Sequence, residues 1–526
     1  MNRAALPGLL VVLGFGSFIL LALVLLFLAG DGLPLERLAG RQVRAILTFT
    51  LTQSLLSTGL SIAGALPLAV LLHRHRAFVG RDTLVRLLAL PLALPPLVAV
   101  LGILEIWGRS GVVSAGLQSL GFDVRLDVFG LQGVLLAHVF FNLPLAARLM
   151  LAHLERQPAT TFRLADQLGL VGWARFTRVE WPLLRPSLGG VAGLIMMLCI
   201  GSFTIVLTLG GGPRAATFEV AIYQALRFDF APSLAALYTL IQLVLAGTLL
   251  FLLSVVGGAP QDRAGALPEE AGFTRPVPVW GVGLLILTTL FLLAPLAALV
   301  AGGLVAEWGR LIQNPRLWSA AMTSGVIAAC AGLVAVATAY ALLVARSRGF
   351  GANGIAKHLF EAGYGAVGSA VLAVPPIVLG AGWFLALRGV PAQTLLAGGL
   401  VMLVNALMAL PVVVRGMAPA FAASERRYGA LSSSLGLTGW RRFVRVDLPV
   451  LARPFAVALA FALVLSVGDL GAAAIFGAYD LVTLPVLILN LMGSYRTGDA
   501  AGVAFLLGVF VFALIAMAER SHKVLG

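Results

Sequence analysis

The sequence predicts an all-α polytopic membrane protein, with about twelve transmembrane helices arranged as two parallel six-helix repeats. Three observations predict it. Hydrophobic residues fill 60% of the 526 positions and charged ones only 11%, with a mean hydropathy of +1.01, outside the range of soluble domains. Apolar runs of about 20 residues, the length that crosses a bilayer, recur along the whole chain. A segment of 14 residues occurs twice at an offset of 267, with nine positions identical.

The first apolar run, 7–29, is too long for a signal-peptide core and reads as a retained span. Runs at 47–72, 85–107, 129–150, 187–209 and 232–257 follow it. Gly257 to Pro278 is the long polar stretch of mixed charge and reads as a linker. Six more runs lie at 279–302, 319–344, 361–387, 394–414, 455–478 and 498–517. The expected organisation is a first half 1–257 with its core at about 47–257, a cytoplasmic linker 258–278, and a second half 279–526 with its core at about 319–517. An even number of spans per half gives both halves the same orientation.

With the N-terminus inside, 25 of the 36 Lys and Arg fall in inner segments and their edges, so both termini are expected in the cytoplasm. That asymmetry also accounts for the net charge of +14. The basic residues form no stripe with interleaved aromatics, so the expected surroundings are a lipid bilayer and no nucleic acid. Cys199 and Cys330 lie inside apolar runs, where both are expected to be small buried hydrophobes, and no disulfide framework, metal site or cofactor follows from them.

The repeat aligns Gly169-Leu-Val-Gly-Trp-Ala-Arg-Phe-Thr-Arg-Val-Glu-Trp-Pro182 without gaps on Gly436-Leu-Thr-Gly-Trp-Arg-Arg-Phe-Val-Arg-Val-Asp-Leu-Pro449. The offset extends upstream through Leu143-Pro144 and Leu410-Pro411, then Arg148 and Arg415. Each copy falls in the longest inner loop of its half. Each has a helix-compatible stretch, a glycine able to take the left-handed conformation that ends a helix, a second basic amphipathic stretch, and a proline where that stretch is expected to stop. A short bent helix pair results, with Trp173, Phe176, Trp440 and Phe443 expected at its surface. Interfacial anchoring would also suit Trp beside basic residues. Duplication at identical spacing favours a docking surface for two equivalent partners.

These residues resemble the EAA loop of binding-protein-dependent ABC transporter permeases: Glu-Ala-Ala, three residues, Gly, nine residues, an aliphatic, one residue, Leu-Pro. The first copy supplies Ala165, Gly169, Val179 and Pro182, and the second Gly436, Val446, Leu448 and Pro449. Arg163 and Ala430 stand where the family has its acid, Leu164 and Leu431 replace the first alanine, Ser432 the second, and Trp181 the leucine. Glu180 and Asp447, paired at the same offset, are a substitute for the missing polar contact. Further stretches, among them Leu92-Ala-Leu-Pro-Pro-Leu-Val-Ala-Val-Leu-Gly-Ile-Leu104, Leu207-Thr-Leu-Gly-Gly-Gly-Pro213, Val467-Gly-Asp-Leu-Gly471 and Met492-Gly-Ser-Tyr-Arg496, are similar to fused permeases of thiamine ABC transporters.

The resemblance implies the type-1 ABC permease fold in a bacterial inner membrane and a small-molecule substrate, thiamine or its phosphate esters. It implies two copies of a P-loop ATPase subunit inside and a periplasmic or extracellular substrate-binding protein outside. Iron(III) permeases share the fused architecture and are the nearest alternative. An ion-coupled secondary transporter is less favoured, because few acids lie in the spans.

The chain lacks a P-loop of its own, since neither Lys357 nor Lys523 follows glycine and precedes Ser or Thr, so a transport subunit without an ATPase site is expected. The six histidines form no metal or acid–base cluster in the sequence. Polar residues within spans are the remaining candidates for a substrate path. Asp469 lies in the eleventh span between glycines, where it could offset a cationic thiazolium ring or bond a neighbouring helix. His138, in the fourth span, is matched by Asn405 and reads mainly as a helix-to-helix hydrogen bond. Glu105, near the outer end of the third span, is expected to reach toward the interface. Pro91, Pro95, Pro96, Pro375 and Pro376 are expected to loosen two related helices, as static kinks or as a gate.

Overall fold

The computed structural model describes residues 3–30, 32–122, 126–212, 215–256, 276–350, 354–388 and 390–523. Most of the expected linker therefore lies outside the described residues. Among them, eleven helices are long and apolar enough to cross a membrane, and two further pairs qualify only as bent pairs. Long helices match eight of the twelve expected spans and cover part of 85–107, 187–209 and 455–478, while the ninth, 361–387, is a bent pair.

Proline decides where helices break. Helices Ile355–Ala373 and Pro376–Ala386 are separated by Val374 and Pro375 in extended conformations, and their axes differ by 94°. The residue before a proline is pushed out of the helical region, and two prolines in succession repeat the effect. The same device acts at Leu94, extended before Pro95, so the long helix begins only at Pro96, after short helices Arg81–Leu87 and Leu90–Ala93. These prolines therefore make full breaks where a loosened helix was expected. The eleventh span also ends early: helix Leu448–Val467 stops before Gly468, and Gly471–Phe476 starts anew. The first half does the same after Ile200, with Phe203–Leu209 following.

Contacts gather the helices into two units. One comprises Met1–Leu35, Ala221–Thr239 and Gly302–Gly526, the other Glu36–Val220 and Leu240–Ala301. In the first, helices Pro315–Val344, Gln393–Ser434 and Leu448–Val467 pack together, and helix Leu6–Leu28 joins them. Gly8 meets Ala345, Gly382 meets the backbone of Ala22, and Phe18 stacks on Trp383 at 4.9 Å. In the second, Arg41–Arg74, Leu131–Glu155 and Trp181–Ile200 form the centre, and residues 279–301 of helix Val279–Val305 join them. There Gly102 meets the Pro295 carbonyl, Gly281 meets Leu71, and Phe291 lies 6.0 Å from Phe140. The opening span of each sequence half thus packs with the core of the other half. Glycine at each crossing lets backbones approach, which is how helices associate where lipid removes the hydrophobic drive.

Cys199 is buried but Cys330 is exposed, against expectation. An apolar run in a membrane helix can face lipid as readily as protein, so apolar sequence context does not fix burial.

Candidate functional site

Each copy of the repeat builds the same bend. Helix Ala159–Gln167 ends at Gly169, whose φ is +67°, while the Gly169 and Leu170 N–H groups donate to Asp166 and Ala165 carbonyls at 3.1 and 3.0 Å. In the second copy Gly436 has φ +64°, and Gly436 and Leu437 donate to Ser433 and Ser432 at 3.1 and 2.9 Å. Left-handed glycine satisfies the orphan carbonyls of a helix end at no steric cost.

The second arms are Gly172–Arg175 and Gly439–Arg442, which widen into π-helical turns at Phe176–Glu180 and Phe443–Asp447. Pro182 and Pro449 do not stop these arms. Both sit in the first turn of the spans Trp181–Ile200 and Leu448–Val467, where proline needs no donor. Loop arm and membrane span form one apolar helix of 29 residues, Gly172–Ile200 and Gly439–Val467. In the second copy the first arm is continuous as well, within Gln393–Ser434, whereas Pro158 separates Leu131–Glu155 from Ala159–Gln167.

The outer surface of the two loops matches residue for residue. Trp173 and Trp440 are 75% and 74% exposed, Leu168 and Leu435 67% and 64%, and Leu164 and Leu431 56% and 55%. Trp173 lies against Phe176 with ring centroids 5.1 Å apart, and Trp440 lies against Phe443 at the same distance. The two Phe rings are half-buried, as are Val179 and Val446, while Ala165 is buried. Leu164 and Leu431 appear in the motif only as departures from alanine, and Leu168 and Leu435 not at all; the shared offset of 267 marks all four.

Glu180 and Asp447 are fully buried, so neither is a surface contact. Arg74, at the end of helix Arg41–Arg74, donates to Glu180 through Nε and Nη2 at 2.7 and 2.5 Å and to the Gly172 carbonyl at 3.0 Å. Arg175 bridges Glu180 at 3.2 Å and Asp166 at 2.5 Å. In the other loop Arg348 grips both Asp447 oxygens at 2.9 Å and also pairs with Glu425, which Arg442 shares; Tyr340 donates to Asp447 at 2.6 Å. Glu425 occupies the position that Pro158 holds in the first copy, so the loop that keeps its helix unbroken takes its second acid from there. In each copy two arginines and two acids thus lock the arm to the end of a core helix. Bidentate Arg–carboxylate pairs fix geometry as well as attraction.

The intramembrane candidates are divided between the two units. His138 is buried, with Ser57 Oγ 3.0 Å from Nδ1 and Ser202 Oγ 2.7 Å from Nε2, joining two helices to the break after Ile200. Asn405, its counterpart, donates to Ser466 Oγ at 2.9 Å. Both act as interhelical hydrogen bonds. Glu105 is half-buried on helix Pro96–Trp107. Asp469 lies in the break after Val467, not within a helix; its Oδ1 accepts from the Gly471 N–H at 3.1 Å, and its Oδ2 is sequestered with no partner among the described residues. Ser202 is its counterpart at the offset of 267. Among the described residues no group of His, Cys, Asp or Glu is arranged to hold a metal ion.

No family model matches the chain. It is 44% identical over 476 residues to the thiamine transport system permease protein of Brucella abortus (strain 2308), covering 90% of the chain and 87% of that protein. Identity to the protein of that name from Escherichia coli (strain K12) is 41% over 482 residues, covering 90% and 88%. For Haemophilus influenzae it is 35% over 523 residues, covering 95% of both. With such identity sustained over nine-tenths of its length, the chain belongs to the family of thiamine transport system permease proteins.

Proposed function

We propose that the chain is the membrane permease of an ATP-driven importer of thiamine or its phosphate esters, working in a bacterial inner membrane with both termini in the cytoplasm. The observation that carries this reading is the pair of matched loops, each exposing Trp and Leu on one side and locked by buried Arg–carboxylate pairs to core helices on the other. A surface of that kind receives a partner and passes its movement inward. Two copies of an ATPase subunit are the fitting partners, since the loops are equivalent and the chain carries no P-loop. A substrate-binding protein would deliver the vitamin from outside. Asp469 joins the substrate path in this reading, because one of its carboxylate oxygens is left without a partner beside a helix break.

The test is transport by the whole complex in proteoliposomes, with the permease, its cognate ATPase and its binding protein. Thiamine accumulation should require ATP and the binding protein, and iron(III) should not compete. Uptake driven by a proton or sodium gradient without ATP would contradict the proposal.

A further inference from the structure

One groove lies apart from both loops and from the intramembrane polar residues. Helices Leu6–Leu28, Pro315–Val344, Ile355–Ala373 and Gln393–Ser434, within a single unit, border an open cavity of about 310 Å³. Its walls are apolar, with Val11, Val12, Leu342, Val367, Leu410 and Val414. Polar atoms enter from Tyr364, Ser369 and Arg415.

The depth of Arg415 follows from helix geometry. From Gln393 the helix rises roughly 33 Å to Arg415 at 1.5 Å per residue, about the thickness of the hydrocarbon core. A span that begins at Gln393 therefore brings Arg415 to headgroup level at its far end, with the valines and leucines of the groove on the side where acyl chains run. The neighbouring cation, Arg346, lies 5.4 Å over the Tyr364 ring and is neutralised by Glu361 at 2.9 Å. Arg415 is exposed and has no acidic partner among the described residues. A small soluble anion would satisfy Arg415 but leave the apolar wall uncovered. A neutral lipid would cover the wall but gain nothing from the guanidinium.

We propose that this groove binds an anionic phospholipid, with an acyl chain along the Val and Leu wall and its phosphate at Arg415. Basic residues at headgroup level between membrane helices recognise such lipids. The groove is open where the chain would run: a Cβ on Gly365 or Gly368 would meet no atom within 4 Å. A side chain added at Gly368 would fill the groove without displacing backbone, which supplies a test that spares the fold.

The test is native mass spectrometry of the delipidated full-length permease, titrated with dioleoylphosphatidylglycerol or dioleoylphosphatidylcholine. The wild type should retain the anionic lipid about fivefold more than the zwitterionic one, the preference that one basic residue gives near an anionic surface. Arg415→Gln should abolish that preference, and Gly368→Leu should reduce retention of both lipids. Arg148→Gln, at the matching repeat position, should leave the preference intact. Unchanged preference in Arg415→Gln, undiminished retention in Gly368→Leu, or an equal loss in Arg148→Gln would each overturn the proposal.

Discussion

Glu180 and Asp447 show how little a charge reveals about its role until its surroundings are known. Both are acids in the loop arms that run on into apolar spans, and both are fully buried and held by two arginines each. Removing one partner of a buried pair leaves the other charge uncompensated, at a cost on the order of 3 kcal/mol or more. Glu180→Gln and Asp447→Asn are therefore expected to lower the thermal midpoint of the purified permease, and an unchanged midpoint would return these acids to the surface role. Asp469 tests differently. Asp469→Asn keeps size and one acceptor but deletes the charge, so thiamine uptake should fall with assembly intact, and uptake of thiamine pyrophosphate should fall less because its phosphates offset the ring. Equal losses for both substrates would make Asp469 a structural residue at the helix break.

Among the elements, the loop arms carry the proposed coupling. Gly169 and Gly436 hold φ near +65°, where a β-branched side chain is strained by on the order of 1 kcal/mol or more. Gly169→Val with Gly436→Val should weaken ATPase co-purification and uptake while the membrane level of the permease stays near normal; full uptake would show that the bend is dispensable. Much of each loop was legible in the sequence, because the bend needs glycine and the repeat kept it in register. The continuation through Pro182 and Pro449 was not. Whether proline stops a helix or starts one depends on the preceding turn, and here a π-helical turn leads into it. The broken ninth span follows the same logic in reverse, since hydropathy counts apolar residues and is blind to the 94° turn that two prolines impose.

At the scale of the whole molecule, the approximate number of spans was readable from apolar length, with eleven qualifying helices and two bent pairs among the described residues, but the partners of each span were not. Residues that touch lipid and residues that touch another helix are equally apolar, so nothing in span 7–29 announces that it packs with the second half. Phe18 and Trp383 give the check. A stacked aromatic pair contributes about 0.5–1.5 kcal/mol beyond its burial, so a double-mutant cycle with Phe18→Ala and Trp383→Ala on thermal stability should show coupling of that size; strict additivity would contradict the exchange of first spans. The central claim, that the two loops are equivalent docking surfaces, is tested most directly by the stoichiometry of the purified complex. Mass measurement should find two ATPase subunits per wild-type permease, one when Trp173→Ala and Leu168→Ala disable the first loop or Trp440→Ala and Leu435→Ala the second, and none when both are altered. Retention of both ATPase subunits with all four residues replaced would contradict it.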